Sequence, residues 1–406
     1  MAARKKIAIV GANFAGLTTA LRLSKRHSVT VFDPAQDFEF LPNIHELVSG
    51  VKSPETLRLS RRRLLQRAGH RFVRSAVESL DPRAGTLTTA SGRRLGFDVC
   101  VLAAGGVNNT FGVQGVEKFA MPFKSVADCA AIGKRLRSLT GSGGQISIVI
   151  VGGGLEGVEA LGEILRRYRN VAGLAVHLVE SGARLVPSAP AALGRHVEKS
   201  CEPYPVTFHK NVRVTRVTAT GVRVSSGKML RSDITIWTGG AAPHPLLAVS
   251  GLSPEPGMWA PVRPTLQSKF FDNVFVIGDA AKLPKSISKQ AYHALEMGAF
   301  TAANIERLLR GAPLEHFRPG PEMGLISLGD IDTYLVIAGV VVASPALAAV
   351  KEAVYQLNMA RFDPPRDRAA LSGIRDRSCN SIIELGLPAV RSLSALVRLA
   401  GLRVLS

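Results

Sequence analysis

The strongest constraint on the fold is an apolar run that leads into a complete glycine-rich turn. Residues 145–151 are rich in β-branched side chains, and a GxGxxG pattern follows them at the start of a helical stretch. The glycines of this pattern are Gly152, Gly154 and Gly157. A second apolar run, residues 174–179, ends in Glu180. A strand, a glycine-rich turn, a helix, a strand and a terminal acid in this order are typical of a dinucleotide-binding βαβ unit.

This unit also predicts a ligand. The glycines let the backbone approach a pyrophosphate at the helix N-terminus, where N–H groups and the helix dipole favour an anion. Glu180 can accept hydrogen bonds from the adenosine ribose of NADH and would repel the 2′-phosphate of NADPH. Arg184 is the basic residue close enough in sequence to offset that repulsion. The sequence therefore predicts a preference for NADH.

A second unit of the same kind begins near the N-terminus. Residues 6–10 form a short apolar strand, Gly11 and Gly16 frame the following turn, and the next strand ends in Asp33. We expect Gly11 to make the tight turn, Gly16 to permit close packing of helix on strand, and Asp33 to accept from an ADP ribose. Asn13 stands where the fingerprint has its second glycine. It is expected to serve there because asparagine tolerates left-handed backbone.

A third stretch, far downstream, completes this N-terminal unit. Residues 274–277 are an apolar strand, Gly278 and Asp279 form the turn after it, and a helical run covers residues 289–309. The Asp279 carboxylate can accept from a ribityl hydroxyl. Two other strand ends carry small residues that let the backbone approach a cofactor: Ala104 and Gly105 after residues 98–103, and Gly239 after residues 234–238.

The order of these motifs predicts an α/β protein with two Rossmann-like dinucleotide-binding domains, one inserted in the other, and a smaller C-terminal domain. The outer domain is assigned residues 1–120 and 241–320, the inserted domain residues 121–240, and the C-terminal domain residues 321–406. Residues 388–405 mix Leu and Val with arginines, which suits a basic amphipathic helix at a membrane surface. Packing of that helix on its own domain is the alternative.

The chain is strongly basic, with a formal net charge of +20. That charge is compatible with a solvated basic surface, an anionic membrane or nucleic acid. No recognised nucleic-acid module accompanies it, so no nucleic acid is expected as a partner. The longest apolar run, residues 334–350, is short for a membrane-spanning helix and contains Pro345. We expect it to form a buried strand and helix.

The spacing of the cysteines and histidines gives no indication of a metal site or a dithiol pair. The 4 cysteines form no CxxC pair, and the chain runs directly into a strand without an apolar signal segment. Both features favour a reducing, cytoplasmic compartment. His45 and Glu46 lack the second histidine of an HExxH motif, because Ser49 stands at its position. No metal site is predicted.

Several segments together resemble the two-dinucleotide-binding-domain flavoproteins, and among them the type II NADH dehydrogenases and the ferroptosis-suppressor-like quinone reductases. The resemblance covers about residues 6–332 and is carried by GANFAGL, FEFLPNIHELVSG, VLAAGG, NNTFGVQGVEKFA, IVIVGGGLEGVEALGEI, ITIWTGG and VFVIGDAA. KQAYHALEMG is similar to the KxAYxA segment of the ferroptosis-suppressor branch. The disulfide-reductase branch carries a CxxxxC pair that residues 33–50 lack, so disulfide reduction is not expected.

The resemblance implies FAD in the outer domain and NAD(P)H in the inserted one. It assigns FAD to Gly11, Asn13, Phe14, Ala15, Gly16, Asp33, Ala104, Gly105, Gly278 and Asp279. It assigns NADH to Gly152, Gly154, Gly157, Glu159, Glu180 and Gly239. Two catalytic roles follow: Glu159 matches the family's acidic position near the nicotinamide, and Lys289 would stabilise reduced anionic flavin at its pyrimidine edge. The quinone would meet Ala291, Tyr292 and Glu296, of which Tyr292 and Glu296 stand where type II dehydrogenases usually carry glutamines.

The expected activity is FAD-dependent NADH:quinone oxidoreduction. Hydride would pass from NADH to flavin N5, and a small-molecule quinone would take the electrons. The expected location is cytoplasmic, peripheral on the inner face of the membrane, with the membrane surface as a partner. Two alternatives stay open: a soluble reductase of a protein acceptor such as a ferredoxin or rubredoxin, and a redox-sensing interaction protein with slow turnover. Whether the chain forms a homodimer is also left open.

Overall fold

The computed structural model describes residues 4–141, 143–364 and 401–405. It divides into two compact units. The first unit comprises Met1–Glu39, Arg58–Val107 and Ala241–Glu322. The second unit comprises Phe40–Leu57, Asn108–Gly240 and Met323–Ser406. Each unit contains a five-stranded parallel sheet, which confirms the predicted α/β class with two Rossmann-like folds.

The sheet of the first unit has its strands in the spatial order Val274–Val276, Val99–Leu102, Lys6–Val10, Ser28–Asp33 and Arg71–Arg74. The middle strands are almost wholly buried, as parallel strands covered on both faces must be. The helices Phe14–Arg22 and Ala291–Leu309 pack closely on each other. A Cβ at Gly298 would lie 2.4 Å from the Ala15 carbonyl oxygen, so glycine is what permits that contact.

The other elements of the first unit are short. Its remaining strands are Asp37–Glu39, Arg58–Ser60, Val77–Asp81, Thr86–Thr89, Arg94–Gly96, Ala241–Pro243, Ala260–Pro261 and Ala281–Lys282. The strand Gly106–Asn108 follows where the chain passes into the second unit. The remaining helices of the first unit are Arg61–Arg67 and Leu246–Val249, with a 3-10 turn at Gly278–Ala280.

The sheet of the second unit has its strands in the spatial order Ala120–Pro122, Ile234–Trp237, Ile146–Val151, Leu174–Val179 and Val206–His209. A three-stranded antiparallel sheet, Val214–Thr218, Gly221–Val224 and Met229–Arg231, interrupts the parallel order along the chain. The helices of this part are Glu46–Ser49, Val116–Phe119, Val126–Gly141, Leu155–Tyr168 and Ala191–Cys201, with 3-10 turns at Leu41–Asn43 and Pro54–Leu57.

The C-terminal segment forms an antiparallel sheet and a helix. The strands are Met323–Leu328, Asp332–Ile337, Val340–Ala343 and Arg403–Leu405, and the helix is Leu347–Phe362. The turn at Gly329 touches the helix Leu155–Tyr168. A Cβ at Gly162 would lie 2.3 Å from the Gly329 nitrogen, and a Cβ at Gly329 would lie 2.1 Å from the Gly162 carbonyl oxygen. Only two glycines can meet at that distance.

Two expectations about the C-terminal part of the chain can be compared with the fold. The C-terminal segment was expected to be a separate domain, but it groups with the second unit, as does Phe40–Leu57. The amphipathic helix expected over residues 388–405 lies outside the described residues up to position 400, and Arg403–Leu405 form a strand instead of a helix end. Within the described ranges, no helix is both long enough and apolar enough to span a membrane.

Candidate functional site

The first glycine-rich turn follows the strand Lys6–Val10 and opens the helix Phe14–Arg22. Gly11 has a φ of 91°, and a Cβ there would lie 2.3 Å from the Ala103 carbonyl oxygen. At Gly16 a Cβ would lie 1.9 Å from the Gly11 carbonyl oxygen. The backbone itself thus demands glycine at both positions, for the tight turn and for the contact between helix and turn.

Asn13 occupies the middle of this turn for a reason other than the expected one. Its φ of −95° and ψ of −151° are extended, so no left-handed tolerance is needed. Its Oδ1 accepts a hydrogen bond of 3.3 Å from the Glu39 backbone N–H. Phe14 and Ala15, which follow it, are buried in the first turn of the helix. Asparagine therefore ties the turn to a neighbouring segment.

Asp33 lies at the end of the strand Ser28–Asp33, and its carboxylate is held by three donors. Oδ2 accepts from the Ala12 N–H at 2.8 Å, and Oδ1 accepts from the Ala35 N–H at 2.9 Å. The third donor is Arg61, whose Nη1 lies 2.7 Å from Oδ1. Arg61 is only 4% exposed and also donates to the Ala12 and Ala35 carbonyl oxygens. A carboxylate has about four acceptor sites, so one remains for a ribose hydroxyl.

Arg61 was not expected at this site from the sequence. It is the first residue of a triple arginine that looks like surface charge, and it begins the helix Arg61–Arg67. The buried positions of that helix are Arg61, Leu64 and Leu65. The spacing of Arg61 from the two leucines was the available signal, because it places all three on one helical face.

A cavity of about 790 Å³ lies in the first unit beside the 3-10 turn Gly278–Ala280. Asp279 and Lys289 both line it. The Lys289 Nζ donates to the Asp279 carbonyl oxygen at 2.5 Å and lies over the Trp259 ring. Burial lowers the pKa of Lys289 to about 8, although the Asp279 carboxylate acts in the opposite direction. The structure thus brings the predicted turn and the predicted lysine into one cavity.

Ala104 and Gly105, the other residues of the first unit predicted to approach a cofactor at a strand end, do not line that cavity. Ala104 and Gly105 follow the strand Val99–Leu102. Gly105 has a φ of 65°, and no heavy atom of the described residues lies within 4 Å of a Cβ added there. Its backbone is therefore open to an approaching group.

The three residues predicted to meet a quinone do not line that cavity either. Ala291, Tyr292 and Glu296 are on the helix Ala291–Leu309, but this helix and its N-cap line the cavity through Gln290, His293, Ala294 and Met297. The Tyr292 hydroxyl donates to the Pro321 carbonyl oxygen at 2.7 Å. A Glu296 carboxylate oxygen accepts from the Gly320 N–H at 3.2 Å. These side chains tie the helix to the following segment within the first unit.

A cavity of about 690 Å³ lies at the carboxyl ends of the parallel strands of the second unit. It is lined by Gly152, Gly154, Glu180 and Gly239, all predicted to hold NADH. Gly157 serves the turn instead, since a Cβ there would lie 1.9 Å from the Gly152 carbonyl oxygen. Ligands of open α/β sheets bind at this end of the strands.

Glu180 is nearly buried at this cavity, with 8% exposure. Its Oε2 accepts from the Gly153 N–H at 2.7 Å, and its Oε1 accepts from the Gly182 N–H at 2.6 Å. The Arg184 guanidinium donates to the Pro187 and Ala189 carbonyl oxygens at 2.7 and 2.9 Å. Arg184 is therefore engaged with the backbone, and Arg213 is the cation that lines this cavity.

Glu159 does not line this cavity of the second unit. Its Oε1 lies 2.5 Å from the Lys351 Nζ, and its Oε2 lies 3.7 Å from the His45 Nδ1. Lys351 Nζ is in turn 3.3 Å from the His45 Nε2. Burial raises the pKa of Glu159, and Lys351 acts against that rise. Burial also lowers the pKa of His45 well below its usual value, and the charge of Lys351 lowers it further.

One helical turn further along, Glu163 joins the same buried region. It is 0% exposed and forms a hydrogen bond with the Ser49 hydroxyl. Burial raises the pKa of Glu163 to about 7. We call Glu159, Glu163, His45, Ser49 and Lys351 the buried proton cluster. From the sequence, Glu159 was given a functional role, His45 and Ser49 were considered only as part of an incomplete HExxH motif, and Glu163 and Lys351 were not identified.

Two parallel sheets, each with a glycine-rich turn and a cavity among its connecting loops, define the class of two-Rossmann-domain oxidoreductases. The chain belongs to the pyridine nucleotide-disulphide oxidoreductase family, whose model matches residues 5–298. It is therefore an oxidoreductase.

Relatives and solved structures agree with this membership. The type II NADH:quinone oxidoreductase of Staphylococcus aureus is 25% identical over 380 residues, covering 86% of this chain and 94% of that protein. The fold is similar to that of NDH2 from Plasmodium falciparum in complex with NADH, with a TM-score of 0.82 at 16% identity, covering 95% of this chain and 99% of that one. It is also similar to the sulfide:quinone oxidoreductase of Aquifex aeolicus, with a TM-score of 0.77 at 19% identity, covering 88% and 91%.

Proposed function

We propose that the protein is an FAD-dependent NADH:quinone oxidoreductase. The observation that carries the proposal is the pairing of two nucleotide-type sheets in one chain, each with its own glycine-rich turn. A bound flavin and a diffusing nicotinamide need such a pair. The Staphylococcus aureus relative, similar along 94% of its length, favours NADH as donor and quinone as acceptor.

The first unit fits FAD. Gly11 and Gly278 have φ values of 91° and 64°, a backbone conformation that favours glycine, so the turn after each of these two strands carries no side chain at that position. We assign the ADP half to the turn from Gly11 to Gly16, with Asp33 as the ribose acceptor. Gly105 offers open backbone at a third strand end of the same unit. Asp279 would accept from the ribityl chain.

The chemistry supplied by a bound FAD is acceptance of hydride from NADH and delivery of electrons to the quinone. Lys289 would supply positive charge beside the flavin. Its pKa of about 8 keeps most of the ammonium charged at neutral pH. Electrostatic stabilisation of this kind acts strongly because the charge is already in place.

Glu180 would hold the adenosine ribose of NADH, since its oxygens are fixed by the Gly153 and Gly182 N–H groups. The buried proton cluster would hold protons. Burial raises the pKa of Glu159 and of Glu163, so both carboxyl groups favour the protonated form more than exposed glutamates do. The second unit is thus assigned nucleotide binding and proton storage.

A membrane-surface location belongs to the same proposal. The basis is the basic chain end, in which Arg391 and Arg398 alternate with Leu and Val. Replacing both arginines by glutamine should weaken binding to anionic vesicles and leave flavin content unchanged. These substitutions spare Arg403–Leu405, which belong to a sheet.

The direct test is purification followed by a flavin spectrum, an anaerobic NADH titration and turnover with a short-chain quinone. We expect a yellow protein that NADH bleaches and quinone reoxidises. A protein that stays colourless after FAD is added would overturn the proposal. Reduction by NADH without reoxidation by any quinone would favour a protein acceptor instead.

A further inference from the structure

Phe111 combines exposure with backbone strain at the dinucleotide cavity. It lines the cavity that also contains Gly152, Glu180 and Gly239. The residue is 69% exposed, so its ring gains little from packing. Its φ is 50°, in the left-handed region that a residue with a bulky side chain rarely adopts. The exposed ring and the left-handed backbone both cost free energy in the ligand-free fold. A ligand that contacts the ring would offset that cost.

The strained conformation is held by its neighbours. The Phe111 N–H donates to the Asn109 Oδ1 at 2.9 Å. The Asn109 carbonyl oxygen accepts from the buried Trp237 Nε1 at 2.7 Å, and the Asn109 N–H donates to the Gly240 carbonyl oxygen at 3.2 Å. The segment is therefore fastened to the end of the strand Ile234–Trp237, and the ring is presented from a fixed base.

Strain recurs around this cavity. Val186 and Asn211 also have left-handed φ values, 47° and 56°. Each immediately precedes a lining residue, Pro187 and Val212 respectively. Non-glycine residues in such conformations cluster at ligand sites, where the surrounding structure fixes them for function.

The order of strands decides which half of a dinucleotide Phe111 would meet. The glycine-rich turn follows the strand Ile146–Val151, with Leu174–Val179 on one side and Ile234–Trp237 on the other. Glu180 ends Leu174–Val179, so the adenosine ribose lies on that side and the pyrophosphate lies at the central turn. Phe111 is fastened on the opposite side, toward which the nicotinamide half must extend.

We propose that the Phe111 ring stacks on the nicotinamide half of the bound dinucleotide and shields that half from water. This inference rests on the proposed function, because it takes NADH as the substrate. A flat pyridine ring and an aromatic side chain attract each other in offset or edge contact beyond the gain from buried area. Because the ring is already exposed and fixed, binding requires no rearrangement of the core.

The test compares two fragments of the substrate. Reduced nicotinamide mononucleotide carries only the nicotinamide half, and ADP-ribose carries only the adenosine and pyrophosphate half. Phe111→Ala should raise the KM of NADH and of the mononucleotide about 10-fold or more, as expected from losing one buried aromatic contact. The inhibition constant of ADP-ribose should change less than about twofold, because the lost ring does not touch that half.

Two further variants serve as controls. Phe111→Tyr keeps the ring and should restore the KM of both nicotinamide substrates. Phe119→Ala removes a ring that is 38% exposed in the same unit but lines a different cavity, so it should leave all three constants unchanged. Phe111→Ala should also melt no earlier than the unmodified protein, because the ring packs little.

Each remaining outcome decides against the inference. Weaker ADP-ribose inhibition with unchanged use of the mononucleotide would place the ring on the adenosine half. Unchanged constants for both fragments would remove any ligand role for Phe111. If the unmodified protein neither binds nor oxidises NADH, the proposed function fails first and this inference fails with it.

Discussion

Glu163 offers a quantitative test of how burial acts on an acid in this fold. It is 0% exposed, and burial raises its pKa to about 7 from a reference of 4.5. In the window between those two values the folded state holds a proton that the unfolded state has released. The free energy of unfolding therefore falls as pH rises through the window, and the loss is complete above about pH 7. A shift of about 2.5 pKa units corresponds to roughly 3 kcal/mol.

Glu163→Gln removes the ionisation but keeps a polar group for the Ser49 hydroxyl. Relative to the unmodified protein, the variant should therefore gain stability as pH rises, by roughly 2.5 kcal/mol between about pH 5 and about pH 8. Any mismatch of the amide in its site adds an offset that is the same at every pH. Urea unfolding followed by circular dichroism, at several pH values and with FAD in excess, measures this difference.

Glu156→Gln is the matched control, because Glu156 lies on the same helix at the surface and pairs with Lys124. Its effect should be below about 1 kcal/mol at every pH. A difference between Glu163→Gln and the unmodified protein that does not depend on pH would refute the argument. So would a variant that loses stability as pH rises.

Three other substitutions address the sites. Glu180→Ser should narrow a preference for NADH over NADPH of at least about tenfold in kcat/KM, mainly by improving NADPH, since a lost charge repulsion is worth about 1.5–3 kcal/mol; equal use of both nucleotides by the unmodified protein would contradict this. Asp279→Ala should purify with little flavin, as judged by the absorbance ratio of flavin to protein, and full flavin content would remove the assigned role. Lys351→Met should leave Glu159, whose side chain is mostly buried, without its lysine partner and lower unfolding stability by about 3 kcal/mol at neutral pH, with a smaller loss in acid. An unchanged denaturation midpoint would show that the pair is not needed.

The regular elements of both nucleotide folds could be predicted because their signals are local. The strand Lys6–Val10 and the strand Leu174–Val179 have the bounds that their apolar runs indicate. Gly11 and Gly16 occupy positions where a side chain would collide with backbone, which is why the glycine pattern is informative. Patterns over a few residues report on turns and on buried faces.

The contacts that shape the sites were not predictable, because they join residues far apart along the chain. Arg61 reaches Asp33 across 28 residues, and Lys351 reaches Glu159 across 192 residues. Lysine and arginine outnumber acids by 51 to 31, so a particular basic partner leaves no mark in the pattern. The hydrogen bonds of Asn13, Tyr292 and Glu296 were not predictable for the same reason: each side chain binds a neighbouring segment whose position only the fold defines. The quinone contacts expected of Tyr292 and Glu296 stay a prediction.

The contact between Gly162 and Gly329 limits how this protein can change over evolutionary time. An added methyl group on either glycine would lie within 2.3 Å of the other's backbone, so neither position can accept a side chain while its partner stays in place. Shrinking one partner cannot compensate for enlarging the other, because both are already at the minimum size. A side chain at either position would require the two backbones to move apart. The C-terminal hairpin and the helix it touches must therefore each keep a glycine at this contact for as long as the two backbones stay this close.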